Sequence, residues 1–121
     1  MDPNYNKDSI GSLKISEDVI ASIARYAAKE IEGVADIGFK TAPIKGVFKT
    51  ALQNPVKIIL SDDVATINLN VVVRYGFKLD QIGKEVQKNV KNAVQNMTGI
   101  NVAKVNVIIS GVSFEEMNEA E

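Results

Sequence analysis

The 121-residue chain contains no cysteine, no histidine and no tryptophan. Absence of cysteine removes disulfides, thiolate metal sites and thiol redox switching, and fits a reducing compartment. Absence of histidine removes the side chain that most often moves protons at neutral pH, along with the commonest metal ligand and pH switch. An excess of charge is also lacking, since 14 basic and 15 acidic side chains leave a net charge of −1. A sequence-independent grip on nucleic acid neutralises several phosphates at once and usually shows as a basic domain, so nucleic acid is not expected as a partner. No apolar run reaches the roughly 18 residues that suggest a membrane-spanning helix. The opening Met1-Asp2-Pro3-Asn4-Tyr5-Asn6-Lys7-Asp8 has no basic stretch leading into an apolar one, so it does not read as a signal peptide. The expectation is a cytoplasmic protein.

What is present is an ordinary globular composition, 45% hydrophobic and 24% charged. The length suits one domain with one core. Residues 1–10 read as a polar, disordered lead-in, residues 11–114 as a single domain, and residues 115–121 as a disordered acidic tail carrying Glu115, Glu116, Glu119 and Glu121. Gly11 to Ile15 suggests a short first strand. Ser16 is placed as an N-cap, with Glu17 and Asp18 complementing the helix dipole behind it. Val19, Ile20, Ile23, Ala24, Ala27 and Ile31 follow at helical spacing, and Gly33 sits where a left-handed stop is wanted. Val34 to Phe39 reads as a second strand.

The clearest pattern is a hairpin. Val56, Ile58 and Leu60 alternate up to Ser61-Asp62-Asp63, and Ala65, Ile67, Leu69, Val71 and Val73 alternate on the return. The period then changes. Leu79, Ile82, Val86, Val90, Ala93, Val94 and Met97 make one face of a long helix, with Asp80 as a candidate cap, Gly83 as a point of close packing and Gly99 as the stop. Val102, Val105, Val107 and Ile109 make a last strand. The order β-α-β-β-β-α-β predicts an α+β fold with two amphipathic helices on one face of a mostly antiparallel sheet.

Catalytic patterns are missing from this frame. Its serines show no nucleophile elbow and no Ser-x-x-Lys spacing. The scattered glycines form neither a phosphate loop nor a dinucleotide fingerprint. Asp62-Asp63 lacks the alternating acids and distal glutamate of a calcium loop, so a polar turn is the simpler reading. The expectation is a protein that binds partners, without catalysis, cofactor or metal.

Three candidate surfaces emerge. Lys40, Lys45, Lys49 and Lys57 fall in a stretch without acids, where Ile44, Val47, Phe48, Ala51 and Leu52 mark one helical face. That combination suits an anionic membrane surface or an acidic partner, although a helix tucked on the core edge with its lysines in water is the plainer reading. Lys84, Lys88 and Lys91 make a basic stripe on the long helix. Such a stripe is usually a solvated face, and too few aromatics accompany it to suggest single-stranded nucleic acid. The third surface is the sheet face opposite the helices, with Lys57, Ile59, Thr66, Asn68, Asn70, Val72, Asn106, Ile108 and Ser110. It carries little charge, which suits docking or self-assembly as well as an ordinary half-exposed sheet.

Taken in order, several segments resemble the alkaline-shock-protein family of Gram-positive bacteria. They are Gly11-Ser12-Leu13-Lys14-Ile15-Ser16-Glu17-Asp18-Val19-Ile20, Ala27-Ala28-Lys29-Glu30-Ile31-Glu32-Gly33-Val34-Ala35, Val72-Val73-Arg74-Tyr75-Gly76 and Val86-Gln87-Lys88-Asn89-Val90. Met97-Thr98-Gly99-Ile100-Asn101-Val102, Val105-Asn106-Val107 and Gly111-Val112 complete the set, which spans residues 11–114. The resemblance implies an envelope stress response protein of the cytoplasm without enzymatic activity. It also implies self-association and recruitment beneath the membrane by a small membrane-anchored partner, with membrane contact peripheral at most. A regulatory contact with a cytoplasmic enzyme, such as one of fatty-acid synthesis, is the alternative, and a nucleic-acid-binding module is the third. The family contributes no catalytic motif. Its middle segment is often glycine-rich, whereas residues 40–57 here are lysine-bearing with Gly46 alone.

Overall fold

A computed structural model describes residues 10–39 and 54–114. The expected lead-in before residue 10, the acidic tail 115–121 and the segment with Lys40, Lys45, Phe48 and Lys49 lie outside the described residues.

Helix α1 spans Glu17–Lys29 and starts as its sequence directs. The Val19 N–H donates to Ser16 Oγ at 3.2 Å, and Glu17 and Asp18 occupy the positive first turn. After α1 come β1 (Val34–Ile37), β2 (Val56–Ser61) and β3 (Val64–Arg74). Helix α2 (Leu79–Thr98) and strand β4 (Asn101–Ser113) complete the fold. Gly99 ends α2 in the left-handed conformation at φ 78°, its N–H bonded to the Gln95 carbonyl.

Strand β3 is the axis of the sheet. Along one edge it pairs antiparallel with β2 through residues 64–69 and with β1 through residues 71–73. Along the other it pairs with β4 in parallel, from Val64↔Asn101 to Arg74↔Ser113. Two of the three pairings are antiparallel, and α2 supplies the crossover that a parallel return needs. Asn70 marks where β1 and β2 meet. Its N–H donates to the Pro55 carbonyl at 2.9 Å and its own carbonyl accepts from the Gly38 N–H at 2.8 Å.

Both helices cover the same face. Ile20, Ala24, Ala27 and Ala28 of α1 and Ile82, Val86, Val90 and Val94 of α2 pack on Ala65, Ile67, Leu69, Val71 and Val73 of β3. Each large aliphatic side chain removed from water contributes about 1.5–3 kcal/mol. No polar or charged side chain is buried among the described residues.

Several expectations are corrected. Residues 11–16 form no strand: the cap at Ser16 turns the chain into α1 before a ladder forms, and Leu13 stays 87% exposed while Ile15 packs on the core. The order is therefore α-β-β-β-α-β. Asp80 is not the cap of α2; Lys78 holds that position without a side-chain bond, and Asp80 lies in the first turn. The close-packing glycine is Gly33, where an added Cβ would stand 2.8 Å from Ile82 Cδ1, whereas at Gly83 it would meet nothing within 4 Å. Gly33 lies beyond the helix stop, since α1 closes at Glu30 in ordinary helical geometry.

Candidate interaction surfaces

Among the described residues, nothing covers the sheet face opposite the helices over β2, the first part of β3 and the first part of β4. Register fixes its neighbours: Lys57 lies beside Asn68, Ile59 beside Thr66, Asn68 beside Asn106 and Asn70 beside Ile108. The Asn106 carboxamide donates to Asn68 Oδ1 at 2.8 Å, bridging the parallel strands. Ile59 and Ile108 are 48% and 53% exposed, apolar side chains flanking this polar pair. The structure thus brings Asn68, Asn70, Asn106 and Ile108 onto one face, as their alternation required.

Toward its other end the same face closes. A register shift between Val71 and Val72 coincides with Ser110, whose hydroxyl donates to the Gly38 carbonyl at 2.7 Å. The chain leaving β1 therefore reaches across β3, and Val72 is buried there, outside the main core cluster. Val72 and Ser110 belong to this closure and not to the open surface.

Lys84, Lys88 and Lys91 are all exposed on α2. Their flank is set by two glutamines. Gln87 donates to the Val105 carbonyl at 3.1 Å and Gln95 accepts from the Val102 N–H at 2.9 Å. Lys91 is one helical turn from each, so it stands over the outer edge of β4. Lys84, a turn before Gln87, continues the line. Glu85 falls on the opposite flank, one turn before Asn89, which bonds α1.

The sequence reading missed a shallow apolar groove between the helices. Ile23, Tyr26, Ala27, Ala93 and Met97 line it, and Tyr26 and Met97 are each 71% exposed. Met97 had the spacing of a core residue, but it lies in the last turn of α2, where the side chain overhangs α1 instead of the sheet. Asp62 and Asp63 form the hairpin turn, at φ 54° and 65°. No described helix is long and apolar enough to cross a membrane.

The comparisons agree with this architecture. The profile of the alkaline-shock-protein family, described as having cell envelope-related function, matches residues 5–114. YqhY of Bacillus subtilis (strain 168) is 32% identical over 114 residues, covering 93% of this chain and 84% of that protein. Spy1614 of Streptococcus pyogenes serotype M6 is 31% identical, covering 84% of this chain and 88% of its own length. Both are uncharacterised proteins. Among solved structures, a copper form of MamM CTD superposes with a TM-score of 0.50 at 11% identity, over 79% of this chain and 98% of that one. At that identity the likeness is one of fold alone. On the family profile and on its relatives of similar length, the chain belongs to the alkaline-shock-protein family of cell envelope-related proteins.

Proposed function

We propose that this chain is a non-catalytic binding protein of the cell envelope stress type, acting as a scaffold or modulator beneath the cytoplasmic membrane. The observation that carries the reading is the open sheet face. An asparagine bridge at its centre and exposed Ile59 and Ile108 at its sides give a surface with hydrogen-bonding groups and apolar area but little charge. Solvated sheet faces ordinarily carry charge that keeps them from associating, and this one carries chiefly Lys57 and Lys104 at its margins. Family membership supports the envelope setting. Recruitment by a small membrane-anchored protein, and contact between copies of the chain, are the interactions this face suits.

The test is an affinity capture from a detergent-solubilised membrane fraction, comparing the intact chain with Asn68→Lys/Asn106→Lys. Capture of a small membrane protein by the intact chain, lost with the double variant, supports the proposal. Selective capture of a soluble biosynthetic enzyme would instead make the chain a regulatory subunit-like partner. Identical capture by both proteins would remove the sheet face from the account.

A further inference from the structure

Among the described residues, the outer edge of β4 is the long unpaired edge of the sheet. Main-chain groups alternate sides along a strand, so the direction of one residue sets that of the rest. Asn70 of β3 directs both its groups toward β1 and β2. Its odd-numbered neighbours Ile67, Leu69 and Val71 therefore bond β4, and they do so through the even positions Lys104, Asn106 and Ile108. The main-chain groups of Val105, Val107 and Ile109 consequently face outward. The Val105 carbonyl takes the Gln87 bond. The Val105 N–H and both groups of Val107 and Ile109 have no partner among the described residues, and β4 pairs with β3 alone.

The bonds of Gln95 to Val102 and Gln87 to Val105 run α2 antiparallel to β4. Lys91 therefore stands over the stretch between those residues and Lys84 lies toward Val107, with Lys88 between them and further out on the exposed side. Along a helix the three lysines span about 10 Å. Three alternate positions of a strand laid against β4 span about 13 Å and would point to that same side. Flexible lysine stems cover the difference. Asp80, one turn before Lys84 on the same flank, confines the positive region to the Lys84–Lys91 stretch.

We infer that the β4 edge is a strand-addition site for an extended acidic segment of a partner protein, main chain bonding the Val105 N–H and Val107 and carboxylates meeting Lys84, Lys88 and Lys91. Main-chain pairing supplies affinity in this mode, and side-chain complementarity selects the partner. A symmetric second copy is the poorer occupant. Joining two β4 edges about a dyad sets two lysine stripes side by side, and like charges brought together oppose the pairing. The inference rests on the reading of the chain as a partner-binding protein, but it concerns a different surface from the open sheet face.

The experiment is fluorescence polarisation of the full chain with a labelled octapeptide, Glu-Val-Glu-Thr-Glu-Val-Glu-Thr, at low ionic strength. Two further peptides replace every Glu by Lys, or N-methylate alternate residues to remove main-chain donors. Saturable binding of the acidic peptide, weakened about tenfold or more both by N-methylation and by Lys84→Glu/Lys88→Glu/Lys91→Glu, is the expected result. Val107→Pro removes an outward N–H without breaking a β3–β4 ladder bond, although it also trims a half-buried side chain, and is expected to weaken binding similarly. Since N-methylation alters the ligand, it keeps the test sound even where a protein variant fails to fold. Absence of binding, or binding indifferent to N-methylation, would overturn the site. So would a doubling of the chain's own mass abolished by Val107→Pro, because the occupant would then be a second copy. Asn68→Lys/Asn106→Lys leaves peptide binding intact, which separates failure of this site from failure of the sheet face.

Discussion

The carboxamide of Asn89, midway along α2, donates to the main-chain carbonyl of Ala27 at 2.7 Å and reaches Glu30 Oε1 at 3.1 Å. Ala27 lies in the last turn of α1, where its carbonyl otherwise accepts only a long bond, 3.3 Å, from the Glu30 N–H at the cap. One side chain thus caps α1 and fixes how the two helices lie on each other. Removing it leaves a half-buried carbonyl without that donor. Asn89→Ala is expected to destabilise the fold by about 1–2 kcal/mol, read as a lower urea midpoint with unchanged slope.

Two glycines separate close packing from mere helix interruption. Gly33 has φ 106°, and a Cβ there would stand 2.8 Å from both Ile82 Cδ1 and Phe77 Cδ2. Gly33→Ala therefore combines backbone strain with overpacking, and about 2–4 kcal/mol of stability is expected to be lost. Gly83 lies inside α2 with open space around its Cα. Gly83→Ala is expected to gain about 0.5–1 kcal/mol from helix propensity. Thermal melts of the two variants should move in opposite directions; a loss at Gly83 would mean that packing there is tighter than the geometry shows.

The hairpin turn admits a similar gain. Asp62 and Asp63 both have positive φ, at 54° and 65°, between the paired residues Ser61 and Val64. A two-residue hairpin turn with both central residues left-handed is of the I′ kind, and glycine is strongly preferred at its second position. Asp63→Gly is expected to raise stability by about 0.5–1 kcal/mol in chemical denaturation, since the left-handed strain is relieved.

How much the residues disclosed depended on whether their patterns were local. The β2–β3 hairpin was readable because strict alternation arises when one face is buried and the other is not. Ser16 and Gly99 were readable because capping acts within about four residues. By contrast, Leu13 and Ile15 alternate like a strand but meet no ladder, and nothing local distinguishes the two cases. The parallel pairing of β4 with β3 was equally hidden, because register between distant segments is set by tertiary packing. Asn89, Gln87 and Gln95 look like solvent-facing helix residues until their partners on α1 and β4 are in place. Of the expected surfaces, period two fixed which side of its own strand each asparagine takes, while the Asn68–Asn106 bridge required the β4 pairing. The lysine stripe was visible as a stripe, yet its position beside the outer edge of β4 required the fold.

The remaining prediction concerns that asparagine face. Asn68 and Asn106 are adjacent across the parallel β3–β4 ladder and bonded at 2.8 Å, with Ile108 beside Asn70 one step further on. Two lysines at these positions would replace a neutral bridge by facing like charges, a local cost of about 0.2–1 kcal/mol. Since the face is open, the charged groups can turn into water, and the fold is expected to survive, as circular dichroism would show. Any second surface laid on this face would have to desolvate both ammonium groups without an anionic partner, which is far more costly than the local repulsion. Light scattering of Asn68→Lys/Asn106→Lys is therefore expected to report a smaller mass than the unaltered chain wherever that chain self-associates through its sheet. The dependence on salt discriminates further. Screening should restore little of the association, because desolvation and not long-range repulsion opposes it. An oligomer of unchanged mass in the double variant would place the contact elsewhere on the molecule, and the apolar groove at Tyr26 and Met97 would be the next surface to alter.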